Sequence, residues 1–214
     1  MNAYLIIGND CDLSSYDFSS GVVVGIDKGA YLLYKKGIKL DYAIGDFDSI
    51  SADELEELCS NCEVIKLNPI KDDTDTLYAI KMFKDYDKIF LIGGISGRRI
   101  DHFYANLLLF YDYPNLVMVD DYTFIKQCNM NENFQKDEYN YYSFFALEDV
   151  YDLSLDGFKY NLSNHTLLRN SSLGISNEIV LDKANLSYSL GKLLLIKTKN
   201  ERKELWKTKK RLLQ

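Results

Sequence analysis

Through the first 120 residues, short apolar runs alternate with stretches whose apolar positions recur every three to four residues. AYLIIG (3–8), VVVGID (22–27), DYAIG (41–45), EVIKLN (63–68), KIFLIGG (88–94) and NLVMVDDY (115–122) are short, rich in branched apolar residues, and predict buried strands. Between them, KGAYLLYKK (28–36), the acidic stretch after Ser51, DTDTLYAIKMF (73–83) and DHFYANLLLFYDY (101–113) carry helical spacing. Gly37 is a natural stop for the first of these helices. Ser51 followed by Glu54 predicts a capping box at the start of the second. Such β–α alternation predicts an α/β domain built on a mostly parallel, doubly wound sheet with helices on both faces.

Beyond Phe124 the helical period disappears. NYYSFFAL (140–147), VYDLSLDGF (150–158), HTLLRN (165–170) and ANLSYSLGKLLLIKTK (184–199) are strand-like, and Asp156-Gly157, Asn161, Asn164, Asn170, Gly174 and Gly191 punctuate them. That spacing predicts a small all-β sandwich. QCNMNENFQKDEYN (127–140) reads as the crossing or long hairpin between the parts. The expected organisation is an α/β domain over 1–124, a β-sandwich over 125–197, and a basic tail over 198–214 with some helical potential.

Charge sharpens the picture. Residues 1–120 carry 20 acidic and 11 basic side chains, residues 121–196 carry 10 and 6, and the tail from Lys197 carries 2 and 8. An acidic first half argues against a nucleic-acid partner, since phosphate backbones need clustered Lys and Arg. It suits a protein that recruits a cation. No run is long enough to span a bilayer, and the N-terminus lacks the basic start and apolar core of a signal peptide, so the expectation is a soluble, cytoplasmic protein with no membrane partner. Cys59-x-x-Cys62 closes the acidic helix instead of opening one, and with only His102 and His165 available it makes a poor zinc site. Reduced thiols near a helix end are the expectation.

In an open parallel sheet, ligands gather at the carboxyl ends of the strands. Polar residues fall there repeatedly: Gly8-Asn9-Asp10, Asp27-Lys28-Gly29, Gly45-Asp46-Phe47-Asp48-Ser49, Lys71-Asp72-Asp73-Thr74-Asp75, and Gly93 through His102. Taken singly, Asp46 could form a turn, Asp72 or Asp73 could cap a helix, and Asp101 could cap the next. Together they bring aspartates to one rim from four strand ends. Alternation along an extended chain would aim Asp46 and Asp48 the same way, and two such carboxylates repel unless a cation or solvent intervenes. The glycine loop at 93–97 can present backbone N–H groups to phosphate, and Arg99 can grip phosphate oxygens. The combination describes a site for a nucleotide polyphosphate held with Mg²⁺.

GDFDS (45–49), KDDTD (71–75), G-x-x-G-x-R-x-D-H-x-x-x-N (94–106) and LGISNE (173–178) resemble, in order and spacing, thiamine pyrophosphokinase of the bacterial type. The resemblance implies an α/β nucleotide domain followed by a β-sandwich, a homodimer with active sites shared between subunits, and transfer of pyrophosphate from ATP to thiamine, with Mg²⁺, to give thiamine diphosphate and AMP. It implies catalytic roles for Asp46, Asp48, Asp72, Asp75, Arg99 and Asp101, with Asp46, Asp48 and Asp72 as metal ligands. Gly8, Asp27, Thr74, Gly94, Gly97, Arg99 and His102 would contact the nucleotide, and Ser176 and Asn177 thiamine. Arg98 stands where many members have glycine. His102 fits a nucleotide contact or a helix-start hydrogen bond better than a general base. One or two of the 17 tyrosines are expected to stack on a substrate ring, without the sequence saying which. Two other readings stay open: a glycosyltransferase using Asp46-x-Asp48 to hold a nucleotide sugar, and a non-catalytic nucleotide-binding module.

Overall fold

The computed structural model describes residues 1–8, 11–70, 72–96 and 99–200. Asn9, Asp10, Lys71, Gly97, Arg98 and the tail over 201–214, all singled out by the sequence, lie outside the described residues. The chain forms two compact units, divided between Asp121 and Tyr122.

The first unit contains six strands and four helices: β1 Asn2–Ile7, β2 Gly21–Ile26, α1 Lys28–Lys35, β3 Tyr42–Gly45, α2 Ala52–Cys59, β4 Glu63–Lys66, α3 Asp75–Met82, β5 Lys88–Ile92, α4 Ile100–Leu108 and β6 Leu116–Val119. Their order is β4-β3-β2-β1-β5-β6, and all pair in parallel. The chain winds outward from β1 to β4 and then returns to place β5 on the other side of β1. That reversal creates a crevice beyond the carboxyl ends of β1 and β5. The inner strands are buried on both faces, as their unbroken apolar runs require. On one face Tyr4, Ile6, Leu33 of α1 and Leu58 of α2 share a core cluster.

Local chemistry sets the helix ends. Ser51 and Glu54 form the reciprocal capping box. Gly37, at φ +68°, closes α1, with its N–H on Tyr34 O and the Ile38 N–H on Leu33 O. At α3 the cap is Thr74, whose hydroxyl accepts from the Leu77 N–H at 3.1 Å, and neither Asp72 nor Asp73 serves. Asp101 lies in the first turn of α4, after an Arg99 N-cap.

The second unit is a sandwich. In one layer β7 (Thr123–Gln127), β13 (Leu193–Thr198) and β9 (Tyr141–Ala146) pair antiparallel in that order. The other layer is a four-stranded antiparallel sheet, β11 (Leu162–Leu167), β10 (Val150–Asp156), β12 (Lys183–Ser187), β8 (Asn131–Gln135). Side chains from both enter one core, where Phe134, Tyr142, Phe144 and Phe158 meet edge to face. Two sequence expectations need correction. The segment 127–140 is not a bare crossing, because Asn131–Gln135 pairs with β12 as an edge strand. Only Phe134 of those five residues is buried, so the segment lacks the apolar run that marks a strand. The boundary expected after 124 falls inside β7.

All four cysteines are free. Burial pushes the Cys62 thiol up, the reverse of what an activated redox pair needs. No helix among the described residues is long and apolar enough to cross a membrane.

Candidate active site

A cleft of about 600 Å³ opens at the crossover of the parallel sheet. Gly8 follows β1 there at φ +70°, Asp27 follows β2, Asp46 and Asp48 follow β3, and Gly94 follows β5 at φ +71°. Asp75, at the start of α3, and Arg99 and His102, at the start of α4, complete the rim.

Asp27, Asp46 and Asp75 form the heart of this cleft. One carboxylate oxygen from each lies within 4.8 Å of the other two, and each residue is half-buried. Strand β3 ends on glycine because the space is taken: a Cβ at Gly45 would overlap Asp27 Oδ1. Asp27 itself has φ +49°, outside the usual helix-cap geometry, and its side chain caps nothing. Its Oδ1 is buried with no hydrogen-bond partner among the described residues. Burial, then the like charges of Asp75 and Asp46, push the Asp27 carboxyl up to about 6 against an ordinary 3.8, while the Phe47 N–H pulls the other way. A cluster that crowds the Asp27 carboxylate and offers only hard oxygen donors fits a small divalent cation such as Mg²⁺.

Asp46 and Asp48 reach the cleft by a different route from strand alternation. Phe47 between them is buried and sits at φ +58°, so the chain turns instead of extending. The Asp48 N–H donates back to Asp46 Oδ1 at 3.2 Å. Asp46 points into the cluster, and Asp48 lines the cleft as an exposed residue. Asp72 and Thr74 are exposed and do not line the cleft, and neither does Asp101.

Arg99 and Asp101 are already paired. The guanidinium donates through Nε at 3.1 Å and Nη2 at 2.8 Å, and it also contacts His102 Nε2. The Arg99 hydrogen bonds hold the Asp101 carboxyl down at about 2. The pair is solvent-exposed, so its net contribution to stability is small, and the guanidinium can exchange partners for an arriving phosphate. Lys28, Ser49, Thr76, Ser96 and the buried Asn106 also line the cleft; the sequence placed all but Thr76 at strand ends or in a motif but assigned none of them a role. Asn106 closes the motif that begins at Gly94, which was the available signal. Lys28 had none beyond its place after Asp27.

Ser176 and Asn177 lie in the second unit, beside a separate cavity of about 410 Å³. Their loop is docked on β9: the Phe144 N–H donates to Gly174 O, the Ser176 N–H to Ser143 Oγ, and Asn177 and Tyr142 exchange backbone bonds. Ser176 has φ +56° and is exposed, whereas Asn177 is buried.

Comparison with known proteins identifies two matching family profiles. Residues 14–119 match the thiamin pyrophosphokinase catalytic domain, and residues 129–193 match the thiamin pyrophosphokinase vitamin B1 binding domain. A thiamine pyrophosphokinase of Bacillus subtilis is 33% identical over 197 residues, covering 87% of this chain and 92% of the relative. A crystal structure of thiamine pyrophosphokinase from Bacillus subtilis superimposes with a TM-score of 0.82 at 29% identity, covering 94% of this chain and 100% of that one. A thiamin pyrophosphokinase family protein from Enterococcus faecalis gives 0.80 at 27% identity, covering 94% and 99%.

Proposed function

The chain belongs to the thiamine pyrophosphokinase family, and on that premise we propose how its cleft performs pyrophosphate transfer from ATP to thiamine. In that reaction the hydroxyl oxygen of thiamine bonds to the β-phosphorus of ATP. The bond from that phosphorus to the α–β bridging oxygen breaks, AMP leaves with the bridging oxygen, and the hydroxyl proton is released. Little covalent chemistry falls to the protein, so its task is positioning and charge neutralisation.

The observation that carries this reading is the convergence of Asp27, Asp46 and Asp75 at the sheet crossover. These three residues, with Asp48 at the rim, would hold Mg²⁺, which when bound supplies positive charge against the polyphosphate. Asp72, outside the cleft wall in the free chain, would reach a ligand only through the loop that leads into α3. Gly8 and Gly94, both at positive φ, let the backbone approach the phosphates. Arg99 and Lys28 supply fixed positive charge, with Asp101 orienting the Arg99 guanidinium and His102 beside it. Thr74 sets the start of α3 and so the direction of Asp75. The loop of Ser176 and Asn177 carries the thiamine cavity. A homodimer that shares its active sites, and a cytoplasmic location where ATP is abundant and all four thiols stay reduced, belong to the same reading.

Asp46→Asn tests it. The variant should lose kcat by at least about a hundredfold, the scale set by removing one group that stabilises transition-state charge, and it should lose its response to Mg²⁺. Relief of carboxylate repulsion should leave the melting temperature of the free protein unchanged or higher. A sharp fall in that melting temperature would instead make Asp46 a structural residue.

A further inference from the structure

The cavity of the second unit is built differently from the cleft of the first. Leu155, Leu162, Leu173 and Ile175 give it apolar walls, Tyr160 supplies its one aromatic ring, and no ionised side chain is among its described lining residues. Such a lining offers a phosphate no positive charge. It suits a flat heteroaromatic group.

Tyr160 is 59% exposed, yet its backbone is fixed. Its N–H donates to Asn177 Oδ1 at 2.9 Å, and its C=O accepts from Asn177 Nδ2 at 2.8 Å. Asn177 is only 3% exposed, and the same Oδ1 also accepts from the Glu178 N–H at 3.0 Å. A carboxamide so committed has a single N–H left for any ligand. Its geometry is that of a clamp, tying the loop around Tyr160 to the strip that is itself bonded to β9. The Tyr160 ring already attracts one cation, the Lys159 ammonium 5.7 Å from its centroid, whose charge is offset by its pairing with Glu178 at 2.7 Å. An exposed ring on a fixed backbone at the mouth of an apolar cavity is a poor way to build a core and a good way to hold an aromatic cation.

We propose that Tyr160 is the specificity-determining wall of this cavity, its ring face accepting the aromatic cation of the substrate, and that Asn177 is a positioning residue that holds Tyr160 in place. The identity of that cation as the thiazolium of thiamine rests on the pyrophosphotransfer reading; the clamp does not.

Steady-state kinetics and amide hydrogen exchange test the two parts separately. Tyr160→Leu should raise the KM for thiamine about tenfold, the scale of one cation–π contact, with kcat and the KM for ATP moving less than about twofold. Tyr160→Phe should recover most of that loss. In Asn177→Ala, exchange at the Tyr160 amide should quicken by at least tenfold without substrate present, and the KM for thiamine should rise as in Tyr160→Leu. The double variant should be little worse than Asn177→Ala alone, because the two residues act as one unit. Unchanged exchange at the Tyr160 amide, or losses that multiply in the double variant, would overturn the clamp and make Asn177 a direct contact. An unaltered KM in Tyr160→Leu would overturn the role of the ring, and that surface variant keeps the question answerable if Asn177→Ala fails to fold. Wild-type protein that shows no thiamine-dependent turnover while the exchange result holds would sink the activity and the cation's identity and leave the clamp standing.

Discussion

Asp27 occupies a backbone conformation that aspartate seldom adopts, in a gap that only glycine at position 45 leaves open. Strain and crowding of this kind are retained where a site needs them. Burial and the neighbouring carboxylates raise its carboxyl to about 6 in the folded chain, above its ordinary 3.8. The folded state therefore holds the proton more tightly than the unfolded one. The resulting penalty is fully present above about pH 6 and vanishes below about pH 4. Asp27→Asn should accordingly stabilise the free protein at pH 7.5 by about 1 kcal/mol, a few degrees in Tm for a chain of this size, and by nothing at pH 4. Melting curves at the two pH values check this, and an equal effect at both would remove the electrostatic account. Residues of this class were the most legible in the sequence as types and the least legible as geometry. Asp46 and Asp48 both face the cleft, but Phe47 turns the chain between them, and a two-residue spacing does not encode a positive φ. Among Asp72, Asp73 and Asp75, composition alone could not tell which would point inward; the Thr74 cap decides it by fixing where α3 begins.

At the scale of elements, periodicity located the six parallel strands and four helices of the first unit, since strands covered on both faces must be apolar throughout. It missed β8, an edge strand with one core residue among five, for the converse reason. The end of β3 shows how an element can terminate for a chemical reason. Gly45→Ala would put a methyl group where Asp27 Oδ1 lies, so the carboxylate must move out of the cluster. The variant should fold, since Gly45 is a strand residue without a positive φ, while its half-saturating Mg²⁺ concentration rises at least about tenfold, as expected when one carboxylate ligand is displaced. Titration of activity against Mg²⁺ measures this; an unchanged midpoint would mean that Asp27 is no ligand.

At the scale of the whole molecule, the acidic cleft lies in the first unit and the apolar cavity of Tyr160 in the second. The sequence made this division legible through its change of period near Phe124, and the spacing of its motifs pointed to the family. What it could not give was which tyrosine faces the apolar cavity, because exposure of one ring among 17 depends on a loop held by a distant carboxamide. If active sites are shared between subunits, mixing Asp46→Asn with Asn177→Ala proteins under verified subunit exchange should restore activity at subsaturating thiamine, since each mixed dimer then holds one intact site. Absence of recovery would place both contributions in one chain. Pyrophosphate transfer differs from phosphate transfer in which phosphorus of ATP is attacked, and the product nucleotide reports it directly. With wild-type protein, thiamine, ATP and Mg²⁺, quantitative chromatography should find AMP and thiamine diphosphate in equal amounts; ADP accompanied by thiamine monophosphate, or no thiamine-dependent product at all, would contradict it.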